Sequence, residues 1–282
     1  MTEAEAAPPK GAKYTRELTT AVVAPLTIWI IGWAHPLVFD ATFAMVCALA
    51  LYEFLLLGRR KGYKLPTTVC IGVLLFILGT FSFSGVPIEV GVVLALLLIP
   101  ASYVLGRGSL EEALPSTAVA VFATLYIGLT GGSLIRLHSE VPNGWKLTFF
   151  LLIVVWFGDS GAYYAGSRFG RRQLSPRISP RKTVEGAIGG VFMSIVGALA
   201  IHFTFFREFP LIHSVIAGVI LSITGVIGDL AESMWKRSAA VKDSGSLIPG
   251  HGGFLDRFDS IFFTAPILSG YWFLVQHGFK GW

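Results

Sequence analysis

Apolar positions along this chain fall in long unbroken blocks, and polar positions are gathered into the intervals between them. The blocks cover roughly residues 18–34, 37–57, 67–84, 88–106, 115–135, 146–166, 184–206, 211–231 and 260–277. Each has the length, about 17–25 residues, that an α-helix needs to cross about 30 Å of hydrocarbon. Strands of a transmembrane barrel would instead alternate over about ten residues, and these blocks do not alternate. The pattern predicts an all-α, polytopic helical membrane protein of about nine transmembrane helices. The break at His35-Pro36 is the softest boundary: if the first two blocks form one re-entrant pair, the count changes but the later topology does not.

The polar intervals divide the chain. Residues 1–17 are small, polar and proline-containing, which predicts a disordered cytoplasmic tail. The apolar run that follows continues past signal-peptide length without a convincing cleavage site, so it reads as retained. Residues 18–140 carry few polar positions and read as a transmembrane scaffold; 141–282 hold the large polar loops and read as the catalytic part. The longest polar interval of that second half runs from Ser233 to Asp259. It carries four bases, three aspartates and a glycine-rich turn, Pro249-Gly250-His251-Gly252-Gly253.

Composition agrees with the block pattern: 54% of the 282 residues are hydrophobic, 14% are charged, and the mean hydropathy is +0.68. A net charge of +5 raises nucleic acid as a partner, but the bases are confined to loops between spans, so topology explains them better. With the N-terminus inside, 18 of the 22 Lys and Arg residues fall on the inner side. Only Arg136, Lys146, Arg207 and Lys280 fall outside. That asymmetry puts the N-terminus and both large polar loops in the cytoplasm. Cys47 and Cys70 lie in or beside apolar runs and read as buried thiols, with no disulfide framework or zinc site.

Candidate chemistry sits at the inner ends of the later spans. Asp159 ends the sixth span among Gly158, Gly161, Ala162 and Gly166, small residues that permit close helix contact and a polar cavity beside it. Ser179-Pro180 reads as a helix start, which would put Arg181, Lys182 and Thr183 on the first turn of the seventh span, a ready place for phosphate. Gly186, Gly190 and Ser194 form a second small-residue face. Asp229, Glu232, Ser233 and Lys236 occupy i, i+3, i+4 and i+7, one face of a helix. Asp256 and Asp259 are three apart, so a helix would aim both carboxylates one way.

With Asp229, and with Asp243 nearby, these acids suit a hard divalent cation. Magnesium takes oxygen ligands, often one or two carboxylates plus substrate phosphates, and no Cys/His cluster suggests zinc. Phe157-Gly158-Asp159 and Ile227-Gly228-Asp229 each end a span and precede a basic loop, a faint sign of parallel duplication. Asp40, Glu53 and Glu89 lie near span ends, where an acid can reach the interface, and read as scaffold.

The run Ser233-x-x-Lys236-Arg237-x4-Lys242-Asp243-x-Gly245-x2-Ile248-Pro249-x-His251-Gly252-Gly253-x2-Asp256-Arg257-x-Asp259 closely resembles the signature of the phosphatidate cytidylyltransferases, the CDP-diacylglycerol synthases. Asp159-x-x-Ala162-Tyr163, Ser179-Pro180-x-Lys182-Thr183-x-Glu185-Gly186 and Gly228-Asp229-x-x-Glu232-Ser233 resemble further elements of that family, so the likeness spans about residues 156–260. Arg181 stands where the family often has lysine. The resemblance implies CTP and phosphatidate as substrates, CDP-diacylglycerol and pyrophosphate as products, and magnesium as cofactor. It implies a bacterial inner or plasma membrane as the location and, because family enzymes are often dimeric, a homodimer.

On this reading Lys242, Asp243, Asp256 and Asp259 are catalytic, and Asp229, Asp256 and Asp259 hold the metal. Ser179, Lys182, Thr183, Glu185, Ser233, Lys236, Arg237, His251, Gly252, Gly253 and Arg257 bind substrate. Two other readings compete: a CTP-dependent polyprenol or phytol kinase, which would release CDP and a phosphorylated alcohol, and a membrane transporter. Clustering of the acids and bases at one membrane face disfavours a transport path through the bilayer.

Overall fold

The computed structural model describes residues 25–83, 85–106, 109–139, 141–245 and 253–278. After a helical stretch over 25–32, the helices are α1 (Pro36–Arg60), α2 (Thr67–Ser82), α3 (Ile88–Val104), α4 (Ala113–Ser139) and α5 (Gly144–Phe169). A small hairpin follows, β1 (Gln173–Ser175) and β2 (Ser179–Thr183). Then come α6 (Val184–Thr204), α7 (Leu211–Ser238) and α8 (Leu255–Phe273), the last running into a wider π turn at Leu274–Gly278.

Proline marks several starts. Pro36 opens α1, while Pro66, Pro87 and Pro210 immediately precede α2, α3 and α7. A fixed φ and a missing N–H cost nothing there, because the first N–H groups of a helix have no partner within it.

Among the described residues, six helices are long and apolar enough to cross a membrane: α1, α4, α5, α6, α7, and Leu255–Gln276, which is α8 with its extension. The expected spans over 67–84 and 88–106 are the shorter helices α2 and α3, of 16 and 17 residues. The block at 18–34 falls partly outside the described residues. The outer surface carries many large apolar side chains, among them Leu97, Ile188, Phe192, Ile223 and Ile227. Such a surface suits hydrocarbon, since soluble monomers rarely expose apolar area on this scale. The chain is a multi-pass membrane protein.

Two close-packed unions shape the second half. In α5 and α6, small residues face one another: a Cβ placed on Gly158 would lie 2.5 Å from Ser194 Oγ, and one on Gly161 would lie 2.6 Å from the Gly189 carbonyl. Ser194 Oγ donates to the Val154 carbonyl across this contact at 3.0 Å. Both small-residue faces expected from the sequence therefore meet, each using the other's missing side chains. In α7 and α8, a Cβ on Gly228 would lie 2.8 Å from the Asp259 carbonyl, and Ser260 Oγ donates to the Gly225 carbonyl at 3.2 Å.

The first and second halves of the chain are interleaved. Phe54 of α1 and Tyr126 of α4 pack edge-on against Trp235 of α7, with ring centroids 4.9 Å and 5.2 Å apart. Tyr126 also meets Phe262 of α8. These rings bring α1 and α4 to the end of the bundle where α7 stops and α8 begins.

One local expectation is corrected. Ser179-Pro180 does not start a helix; residues 179–183 are an extended strand paired antiparallel with 173–175. Helix α6 begins at Val184, with Thr183 as its cap, its hydroxyl accepting the Gly186 N–H at 3.1 Å. A two-stranded ribbon is all edge, so a proline without an N–H is tolerated in it, and the β-branched threonine makes the turn into the helix.

Candidate active site

The site grows from the ends of α5, α7 and α8 and from the hairpin. Pairing of β2 with β1 aims Lys182 and Arg181 to opposite faces, since successive residues of a strand point opposite ways. Lys182 makes an ion pair with Asp229 on α7, both side chains partly accessible, while Arg181 is exposed. Glu185, in the first turn of α6, accepts the N–H groups of Arg171 (3.0 Å) and Arg172 (3.2 Å). Gln173 Nε2 donates to the Pro180 carbonyl at 3.1 Å. Glu185 thus fixes the base of the hairpin, and the hairpin delivers Lys182.

Asp229, Glu232, Ser233 and Lys236 share one face of α7. Ser233 Oγ donates to Asp229 Oδ1 at 3.3 Å, and Lys236 Nζ donates to Glu232 Oε2 at 2.9 Å. Lys236 also reaches across to α8, where Asp256 Oδ1 accepts it at 2.6 Å. Asp229 lies near enough to Asp159 of α5 and Asp259 of α8 for their charges to act on one another. The glycine contacts explain the convergence. Gly158 lets α5 approach α6 and Gly228 lets α7 approach α8, and the residue after each glycine is one of these aspartates. The repeated Gly-Asp ending of spans six and eight therefore serves one steric purpose twice.

The expected magnesium set of Asp229, Asp256 and Asp259 is not gathered as a cluster: among the described residues, no three or more His, Cys, Asp or Glu side chains lie close enough to hold a metal by themselves. Asp256 has another use. Its carboxylate accepts Lys236 and the backbone N–H groups of Ser244 (3.1 Å) and Gly253 (2.9 Å), so it ties the loop to α7 and α8. Asp229 and Asp259 remain a hard-oxygen pair of the kind that binds magnesium together with substrate phosphates.

The other expected site residues divide between this centre and its margins. Lys242 and Asp243 are exposed and line a cavity of about 540 Å³ between α1 and the loop, with Tyr52, Arg60 and Ser244. Arg237 donates to the Val241 carbonyl at 3.3 Å and shapes the chain leaving α7. Arg257 is exposed in the first turn of α8. Lys236, expected to bind substrate, is held between two carboxylates and is 13% exposed. Ser179 lies at the far end of β2, paired opposite Ser175. His251 and Gly252 lie outside the described residues.

Glu53, which reads as scaffold in the sequence, lies against this loop. It is fully buried on α1, and its Oε2 accepts Ser244 Oγ at 3.1 Å and the Leu255 N–H at 2.8 Å. Gly245 and Gly253 lie against the same carboxylate, with no space for a side chain at either. The available signal was an acid inside an apolar run. The other two acids of that group are used differently: Asp40 accepts Ser139 Oγ at 2.6 Å away from the loop, and Glu89 is exposed in the first turn of α3.

Residues 14–275 match the model of the cytidylyltransferase family. A Bacillus subtilis (strain 168) protein named phosphatidate cytidylyltransferase is 33% identical over 258 residues, covering 90% of this chain and 95% of its own. A protein of the same name from Staphylococcus aureus (strain COL) is 35% identical over 80% of this chain and 87% of its own. Another, from Haemophilus influenzae, is 42% identical over 55% of this chain and 56% of its own. The chain belongs to the cytidylyltransferase family.

Proposed function

We propose that this chain is a phosphatidate cytidylyltransferase, condensing CTP with phosphatidate to give CDP-diacylglycerol and pyrophosphate. The observation that carries the reading is the near end-to-end match to the Bacillus subtilis protein of that name. The geometry supports it: a lysine and three aspartates from three helices and a hairpin converge at one end of an apolar bundle.

In the reaction, a phosphate oxygen of phosphatidate attacks the α-phosphorus of CTP. A new P–O–P linkage forms, the bond from the α-phosphorus to the bridging oxygen breaks, and the electron pair leaves with pyrophosphate. Such a transfer needs alignment and charge neutralisation more than a covalent nucleophile. Lys182, already poised over Asp229, is the cation for a phosphate that displaces it from that pair. Lys242 and Arg257, exposed on either side of the 246–252 segment, neutralise further phosphate charge. Asp229 and Asp259 are the residues that would hold magnesium, which supplies positive charge to the triphosphate. Thr183 and Glu185 keep Lys182 in place, while Asp256 and Lys236 hold the loop.

The site end of the bundle faces the cytoplasm in this reading, supported by the 18-of-22 basic asymmetry and by the solubility of CTP. Helices α2 and α3 also cross, as short spans over which a bilayer thins locally. The deciding experiment supplies detergent-purified protein with labelled CTP, phosphatidate and magnesium. A labelled CDP-lipid is expected. No CDP-lipid with any phosphatidate, together with CDP release from a lipid alcohol, would overturn the reading in favour of a CTP-dependent kinase.

A further inference from the structure

Glu53 is an unusual occupant of its site. Its carboxylate is 0% exposed inside an apolar helix, and among the described residues its Oε1 has no hydrogen-bond partner. Burying a carboxylate this deeply is costly, and leaving one oxygen unpaired adds to the cost. A residue needed only to fill the space between α1 and α8 would serve better as leucine. What the carboxylate obtains is contact with both ends of one loop. Oε2 accepts Ser244 Oγ on the entering side and the Leu255 N–H on the leaving side. Gly245 would place a Cβ 2.5 Å from Oε1, and one on Gly253 would lie closer still to Oε2, so the chain on each side can approach only because it has no side chain there.

We propose that Glu53 is a positioning residue for cytidylyl transfer. Holding Ser244 and Leu255 on a single oxygen, it fixes the chain that carries Lys242 and Asp243 relative to the helix that carries Asp256 and Asp259. Asp256 makes the complementary tie, accepting the N–H groups of Ser244 and Gly253. The two acids share Ser244, Glu53 accepting its hydroxyl and Asp256 its N–H. The anchor is tied to the bundle, since Phe54, the next residue on α1, packs edge-on against Trp235 of α7. A catalytic group held on a loop is only as well placed as its support, and a displacement of about 1 Å can cost about 10²-fold in rate.

The inference rests on the activity proposed above, and its test separates the two. Full-length protein in detergent is compared as wild type, Glu53→Ala, Glu53→Gln, Ser244→Ala and Asp40→Asn. Hydrogen exchange is followed over residues 241–245 and 253–258, and kcat and KM for CTP are measured. Glu53→Ala is expected to speed exchange in both peptides and to lower kcat about 10²-fold, with KM for CTP much less affected. Glu53→Gln keeps an acceptor oxygen and should restore most of the turnover. Ser244→Ala should give a milder form of the same pattern, and it serves if Glu53→Ala does not fold. Asp40→Asn, which alters a buried acid on the same helix away from the loop, should leave exchange and kcat as in wild type.

The proposal is overturned if Glu53→Ala, or Ser244→Ala in its place, lowers thermal stability while exchange and kcat of the folded protein are unchanged. It is equally overturned if Asp40→Asn does as much damage. A wild type that makes no CDP-lipid would refute the activity, and the exchange measurements would still decide whether Glu53 holds the loop.

Discussion

Lys182 and Asp229 form an ion pair across 47 residues of sequence, one carried by a strand and the other by a long helix. The pair is only partly shielded, so neither charge is locked away: side-chain exposures are 26% and 35%. An anion arriving at this point meets a lysine it can take from the aspartate. A hydrophobic substitution of the lysine leaves the aspartate unopposed beside Asp159 and Asp259.

Lys182→Met is therefore expected to lower turnover by about 10²-fold or more, the usual cost of removing one preorganised charge from a transferring phosphoryl group. Steady-state formation of CDP-lipid measures it. Arg181→Met, on the opposite face of the strand, should change the rate little.

Asp259→Asn and Asp229→Asn should each abolish nearly all turnover while expression and elution in detergent stay normal. For any residual activity, the magnesium concentration giving half-maximal rate should rise. Near-normal turnover in Asp259→Asn would remove it from the proposed metal pair.

Glycine substitutions should split sharply by location. Gly161→Ala pushes a Cβ to 2.6 Å from the Gly189 carbonyl, a backbone atom that cannot move aside, and is expected to cost about 1–3 kcal/mol and lower the melting temperature. Gly79→Ala on α2 meets nothing within 4 Å and should be neutral or gain up to about 1 kcal/mol from helix propensity.

Thr183→Ala removes the cap of α6 and should destabilise by about 0.5–2 kcal/mol. Because Thr183 also joins the hairpin to the helix, the same variant should weaken the placement of Lys182. A fall in kcat larger than the fall in stability explains would be the sign.

At the opposite end of the bundle, Lys146 donates to Glu208 at 2.6 Å and holds the Glu208 carboxyl below its ordinary range. A lowered pKa means any stabilisation is present at neutral pH and is lost as the medium becomes acid enough to protonate Glu208. Glu208 is exposed, and exposed pairs contribute little. Glu208→Gln should therefore leave neutral-pH melting and activity unchanged.

Much of the site was legible because its periodicity is local. The i, i+3, i+4, i+7 spacing put Asp229, Glu232, Ser233 and Lys236 on one face, and the structure joins them in pairs. The small residues of α5 and α6 are enough to predict their close contact. Ser179-Pro180 was misread because a proline is equally at home in a helix's first turn and in an edge strand, and the choice depended on pairing with residues 173–175. The role of Asp256 depended on Lys236 and two backbone N–H groups, none of which its spacing from Asp259 could reveal. Glu53 was hidden most fully, since its partners lie 191 and 202 residues away and local pattern carries no trace of them.

The union of α5 and α6 has one more bearing on how a lipid would be handled. Where a single added methyl group meets backbone oxygen at 2.6 Å, there is no passage for an acyl chain. The contact between α5 and α6 is closed in this way from Gly158 through Gly166. In the proposed reaction, a phosphatidate whose phosphate sits at Lys182 would have to run its two tails elsewhere than between α5 and α6.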